Sequence, residues 1–372
     1  MTQPSDVILA AEHVDVVYDS GDGRPTRAVR DVSLELRRGE LLGIAGESGC
    51  GKSTLAYALA RLLQPPGRLA GGTVTLDGDD LYALDGDALR AVRWTRLAMV
   101  FQSAMNALNP VTTVGRQFDD VFRAHRPGLS AARRRARGGE LLELVGIDAG
   151  RLRSHPHELS GGMRQRVAIA MALALEPDVV IMDEPTTALD VVVQREILDE
   201  IEQLRERLGF AVVFITHDLN LLLEISDRLA VMYAGRVVEY ADTATVAAGG
   251  AAHPYTRGLL RSFPALTGER RDLRGIPGQP PDLRMAEAGC AFAPRCESVM
   301  ERCRVERPEP AGAGSSAVAC HLPGGGDAAA PPSDVAVRAH AAEPHIDTVR
   351  APEGAPPSSS SSSSSSPEGR YR

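Results

Sequence analysis

The stretch Gly46-Glu47-Ser48-Gly49-Cys50-Gly51-Lys52-Ser53-Thr54 constrains this chain more than any other. It fits the pattern G-x-x-x-x-G-K-[ST], a glycine-rich loop whose backbone N–H groups cradle phosphates where a strand passes into a helix. The flanks agree with that reading. Leu41 to Ala45 is a short apolar run suited to a buried strand, and Leu55, Leu59, Leu62 and Leu63 recur at helical spacing until Pro65-Pro66-Gly67. Lys52 is the only lysine among 41 basic residues. A guanidinium is a wide planar fork, whereas this loop needs a compact point charge between the β- and γ-phosphates. Ser53 offers its hydroxyl to Mg²⁺. Cys50 sits inside the loop and needs no chemical role of its own.

The 372 residues suffice for a core and for two domains. A net charge of −8 and the lack of a dense basic stripe argue against a nucleic-acid surface, and Arg133-Arg134-Arg135 reads as a solvated helix face. No apolar run approaches the roughly 20 residues needed to span a bilayer, and Met1 onward lacks a signal-peptide pattern. A cytoplasmic protein is expected, docked on other proteins' helices if it serves a membrane process.

From Val7 to Ala45 the sequence alternates in the β manner, with turn signals at Ser20-Gly21-Asp22-Gly23 and Arg38-Gly39. Tyr18, just before the first turn, is either a strand-packing residue or a platform for a purine. Gly72 to Asp80 reads as another strand and turn, completing a small β subdomain. Ala98 to Phe101 is a second apolar strand ending in Gln102, where α/β sheets place ligand contacts. Asn106 to Pro110 is loop-like, and helical patterns run from about Gln117 to Val145.

Leu159-Ser160-Gly161-Gly162-Met163-Arg164-Gln165 opens a further helix with a serine and two glycines. Its exposed N–H groups form an anion site. A second such site in a chain that already has a phosphate loop suggests a γ-phosphate sandwiched between two copies or two related subunits. Val179 to Met182 is a continuous apolar run followed by Asp183-Glu184-Pro185, as in a buried parallel strand with carboxylates at its C-terminal edge. Strand alternation would turn Asp183 to the Mg²⁺ shell and Glu184 to the attacking water. Asp190 would lie close by at the subunit contact. Ala211 to Ile215 is a third buried strand ended by Thr216-His217-Asp218, which places an imidazole near the γ-phosphate. Arg228 to Tyr240 turns at Ala234-Gly235 as a hairpin expected to close the domain.

Together these pieces resemble the ATP-binding subunits of ABC transporters over about residues 7 to 250. The phosphate loop, Gln102, the Leu159–Gln165 signature, Asp183-Glu184, Asp190 and His217 occur in that family's order and spacing. The resemblance implies an α/β fold with a RecA-like core, an antiparallel β subdomain and a helical subdomain at about 103–165, all within 1–250. It implies a head-to-tail dimer in which ATP is held by Tyr18, Gly46, Ser48, Gly49, Cys50, Gly51, Lys52, Ser53 and Thr54 of one subunit and by Ser160, Gly161, Gly162 and Asp190 of the other. Ser53, Gln102 and Asp183 would hold Mg²⁺, and Glu184, His217 and Gln102 would be the catalytic set. His253-Pro254-Tyr255-Thr256-Arg257-Gly258-Leu259-Leu260, Ile276-Pro277-Gly278 and Gly289 to Cys296 resemble the extension of oligopeptide and dipeptide importer ATPases. Nickel importers share much of the core and remain the alternative. A soluble ABC protein acting on ribosomes or DNA is disfavoured, because the chain shows neither a second cassette nor a coiled-coil insertion. One phosphate loop and one signature imply a related partner ATPase or a second copy, with two permease subunits and an extracytoplasmic binding protein.

Cys290, Cys296, Cys303 and Cys320 are spaced C-x5-C-x6-C-x16-C within 251–323. Disulfides suit a reducing compartment poorly; zinc, an iron–sulfur cluster and free thiols stay open on spacing. The resemblance implies a [4Fe–4S] cluster that staples an extension too small and too rich in Gly and Pro to build its own core, with redox or iron sensing a further alternative. From Pro323 the chain turns to glycine, alanine and proline runs and an unbroken serine tract, Ser358 to Ser366. A disordered tail over 324–372 is expected.

Overall fold

The computed structural model describes residues 6–19, 21, 25–102, 107–187, 189–262, 275–285, 288–313 and 316–322. The expected tail, three residues of the Ser20–Gly23 turn and loop residue Asn106 lie outside them.

Continuous apolar runs become strands buried on both faces. Every residue of β3 (Leu41–Ala45), β7 (Val179–Asp183) and β8 (Ala211–Ile215) is buried. β3 lies parallel to β8 and to β9 (Arg228–Tyr233), and β7 lies parallel to β8 and to β6 (Leu97–Val100). Alternation sends Leu41, Val180, Met182, Val212 and Phe214 into one apolar cluster and Leu42, Ile44, Val179, Ile181 and Val213 into another. The sheet therefore has a core on each side, as parallel strands require. A second, antiparallel sheet runs in the order β2-β1-β4-β5, built from β1 (Val7–Tyr18), β2 (Thr26–Arg37), β4 (Gly67–Leu76) and β5 (Asp79–Asp80).

Four local features depart from the sequence reading. Helix α1 (Lys52–Leu59) stops before Leu62 and Leu63. Arg61 adopts φ 54°, and the Arg61 and Leu62 N–H groups bond to the Ala58 and Tyr57 carbonyls, the Schellman ending of a helix on a residue other than glycine. A helix over Gly86–Val92, unread in the sequence, follows the antiparallel sheet. The helical stretch from Gln117 to Val145 is two helices, Val114–His125 and Ala131–Leu144, parted at Pro127-Gly128, with the Ser130 side chain capping the second. The hairpin at Ala234-Gly235 forms, both residues at positive φ (51° and 82°) as a type I′ turn needs. It does not close the sheet. Strand β10 (Arg236–Asp242) pairs onward with β12 (Ser316–Val318), which pairs with β11 (Ala311–Ala313).

The segment beyond residue 250 borrows its core. Tyr255, Leu259 and Phe292 are buried in the same cluster as Val180 and Phe214. Each contributes about 1.5–3 kcal/mol by leaving water. Attachment to the main sheet and its core thus supplies apolar burial that the extension's own composition does not.

Candidate functional site

The ends of β3, β6, β7 and β8 deliver the phosphate loop, Gln102, the Asp183-Glu184 pair and His217 to one edge of the sheet, the C-terminal edge where α/β folds bind ligands. In the loop, Gly46, Gly49 and Gly51 have φ of 152°, 78° and 108°. A Cβ at Gly46 would lie 2.3 Å from the Met232 carbonyl oxygen, and one at Gly51 would lie 2.2 Å from that of Ala28. Only glycine fits either place. The first internal bond of α1 is Leu55 N–H to Gly51 O, so the N–H groups of Lys52, Ser53 and Thr54 precede the ladder. The Lys52 ammonium is buried and donates to the Gly46 and Glu47 carbonyls at 2.7 and 3.0 Å. Cys50 is buried under the loop, and burial pushes its thiol pKa up. Ser48 lies on the loop's exposed side.

Beside the loop, the Ser53 hydroxyl donates to Asp183 Oδ1 at 3.1 Å. Asp183 is fully buried, and its Oδ2 has no hydrogen-bond partner. Burial raises its pKa, opposed by the Ser53 bond. A buried carboxylate with one orphan oxygen next to a serine hydroxyl is a donor set for a hard divalent cation, so these residues fit Mg²⁺.

Glu184 forms a separate group. Its backbone leaves the strand at φ 45°, and that turn, rather than strand alternation, parts its carboxylate from Asp183. Glu184 Oε2 accepts from Gln102 Nε2 at 3.1 Å and from the Thr187 hydroxyl at 3.0 Å, while His217 Nδ1 stands 3.4 Å from Oε1. Gln102 therefore sits on Glu184 and not on the Ser53–Asp183 pair. Thr187 was missed in the sequence, although a threonine three residues past a strand-end glutamate is a turn partner.

Tyr18 reaches the other end of the loop, its hydroxyl 3.3 Å from Thr54 Oγ1. The Leu159–Gln165 signature opens helix Gly161–Ala172, capped by the Ser160 hydroxyl, which accepts from Met163 N–H. Gly162 faces Val193, and a Cβ there would stand 2.8 Å from that side chain. Asp190 caps helix Val191–Leu208 by accepting from Val193 N–H at 3.0 Å. Among the described residues, no hydrogen bond or ion pair joins Ser160, Gly161, Gly162 or Asp190 to this chain's own phosphate loop.

Cys290, Cys296, Cys303 and Cys320 line one pocket, together with His253, Phe292 and His321. Burial raises the thiol pKa values of Cys290, to about 11, and of Cys296 and Cys320. Among the described residues no three His, Cys, Asp or Glu side chains are assembled as a metal site. The extension thus brings its four cysteines to one place without setting them in ligand geometry. The two histidines were not read in the sequence as neighbours of that site.

The sheet, the loop and the strand-end carboxylates define an ATP-hydrolysing cassette. The family model described as ABC transporter matches residues 29–187, and that described as oligopeptide/dipeptide transporter, C-terminal region, matches 238–303. The chain belongs to the ATP-binding subunits of the oligopeptide/dipeptide ABC transporter family. It is 42% identical over 323 residues to the oligopeptide transport ATP-binding protein OppD of Salmonella typhimurium, covering 86% of this chain and 95% of that one. It is 39% identical to the dipeptide transport ATP-binding protein DppD of Caldanaerobacter subterraneus, covering 85% and 97%. Among solved structures, the ATP-binding cassette MJ0796 in a dimeric post-hydrolysis state bound to ADP and Pi is similar at a TM-score of 0.57 and 31% identity, covering 63% of this chain and 99% of that one. No helix among the described residues is long and apolar enough to cross a membrane.

Proposed function

We propose that the chain hydrolyses ATP to power import of di- or oligopeptides, as a peripheral subunit on the cytoplasmic face of the cell membrane. The observation that carries this reading is the joining of a strand-end ATP site to a C-terminal region matched to peptide transporters. The reading has three parts: an ATPase domain over 1–250 with a helical subdomain at about 103–165, an importer-type extension over 251–323, and a tail over 324–372.

In the proposed mechanism Lys52 leaves the loop carbonyls for the β- and γ-phosphates, and the loop N–H groups hold the phosphate oxygens. Ser53 and Asp183 would hold Mg²⁺, which would neutralise charge developing on the phosphates. Glu184 takes a proton from the water attacking the γ-phosphorus in line; the bond to the β–γ bridging oxygen breaks, and ADP and phosphate leave. His217 steadies the γ-phosphate. Tyr18 stacks on the adenine. Ser160, Gly161, Gly162 and Asp190 act on the nucleotide of a partner, a second copy or a related ATPase, in a head-to-tail dimer. Gln102, which leads from the carboxylate into the helical subdomain, relays occupancy to two permease subunits fed by an external binding protein.

We further propose that Cys290, Cys296, Cys303 and Cys320 hold a [4Fe–4S] cluster. Convergence of four thiols from separate stretches on one pocket supports it. Iron and acid-labile sulfide at about four atoms each per chain in anaerobically purified protein are expected, and their absence overturns this part.

The import reading is tested by ATP hydrolysis in a reconstituted complex with partner ATPase, permeases and binding protein. Stimulation by short peptides is expected; stimulation by a nickel chelate alone moves the protein to metal uptake.

A further inference from the structure

Glu47, the second residue of the phosphate loop, adds a carboxylate to a loop that is to receive the negative charge of a nucleotide triphosphate. Like charges brought together in a partly buried site repel. This carboxylate is neutralised from far along the chain. Arg295, with its side chain 5% exposed, grips Glu47 with both arms of its fork: one terminal nitrogen donates to Oε2 at 2.6 Å and the other to Oε1 at 2.9 Å. Its Nε donates to the Pro277 carbonyl at 2.7 Å, and a terminal nitrogen donates to the Tyr233 hydroxyl at 3.2 Å. The fork is thus held on three sides, which suits arginine and not lysine.

The extension also holds the Glu47 backbone. Glu47 N–H donates to the hydroxyl of the fully buried Tyr255 at 2.9 Å, and Glu47 O accepts from the Lys52 ammonium at 3.0 Å. One loop residue is therefore fixed at its carboxylate, its N–H and its carbonyl, and two of those three partners lie beyond residue 250.

We propose that Arg295 is a positioning residue for nucleotide binding: it neutralises Glu47 and holds the phosphate loop in the shape that receives the triphosphate. The extension completes the ATP site rather than merely hanging from it. This rests on the reading of Gly46–Thr54 as the phosphate site.

The test is the dissociation constant for Mg-ATP, with melting temperature in parallel, on full-length wild type, Arg295→Met, Glu47→Gln and the double variant. Arg295→Met leaves the carboxylate bare and should weaken binding about tenfold, whereas Glu47→Gln should change it less than about threefold. The double variant should recover most of the affinity lost in Arg295→Met, because the repelling charge is gone. A purely structural anchor predicts a double variant no tighter than Arg295→Met, and that result, or unchanged binding by Arg295→Met, overturns the proposal. If Arg295→Met does not fold, Arg295→Lys keeps the charge and loses the fork; it should weaken ATP about threefold, with recovery on adding Glu47→Gln, and no such recovery overturns the proposal. Wild type that binds no ATP would instead sink the phosphate-site reading itself.

Discussion

Gln102 donates its side-chain amide to Glu184 Oε2 at 3.1 Å, linking the end of β6 to the carboxylate at the end of β7. The bond holds Glu184 in place. Gln102→Ala should leave ATP affinity within about threefold and lower kcat about tenfold, since Glu184 Oε2 would lose one of its two hydrogen-bond donors while the phosphate loop is untouched. Steady-state kinetics paired with an equilibrium binding titration separate the two effects.

Lys52 is the one buried ammonium against the loop carbonyls. Lys52→Ala removes the only compact cation there, and nucleotide binding should fall at least about 100-fold, the scale of a lost charge-assisted contact to phosphate. Titration with a fluorescent ATP analogue reads this directly, and retained affinity counts against the loop assignment.

Gly51→Ala should be severe for a reason visible only in three dimensions. Its φ of 108° is strained for any side chain, and the new Cβ would meet the Ala28 carbonyl oxygen at 2.2 Å. A loss of about 1–3 kcal/mol from backbone strain alone is expected, with more from the clash. Thermal denaturation should show a lowered midpoint, together with loss of nucleotide binding.

His253 makes docking of the extension acid-sensitive. Its ring is buried, Nδ1 accepts from Tyr255 N–H, and burial with Arg257 nearby pushes its pKa down to about 3 from the ordinary 6.5. Folding favours the neutral ring, so the stability it contributes is whole above pH 6.5 and is lost as pH falls from there toward about 3. His253→Asn, which keeps an acceptor but does not titrate, should flatten this loss. Melting temperatures between about pH 7.5 and 5 should fall more steeply for wild type than for the variant.

The parallel strands were legible because burial on both faces demands continuous apolar runs, and Ala211–Ile215 shows this residue for residue. The loop and the strand-end polar residues were legible because their chemistry is local in sequence. What stayed hidden depends on distant partners or on backbone shape. Arg295 and Glu47 are 248 positions apart, and neither residue type announces the other. Arg61 ends a helix in a conformation usually left to glycine, and Glu184 turns out of its strand on a positive φ. The pairing of β12 with β10 was hidden because three-residue strands carry almost no period.

Glu184 is expected to act as the base when the strand-end site hydrolyses ATP. This role is tested most directly by measuring ATP binding and phosphate release together for Glu184→Gln, with the partner ATPase present. The variant should bind ATP with near wild-type affinity and release phosphate at least about 100-fold more slowly, the usual scale of general-base loss. Phosphate release within about twofold of wild type would contradict the account, because among the described residues no other carboxylate is held at that place by Gln102, Thr187 and His217.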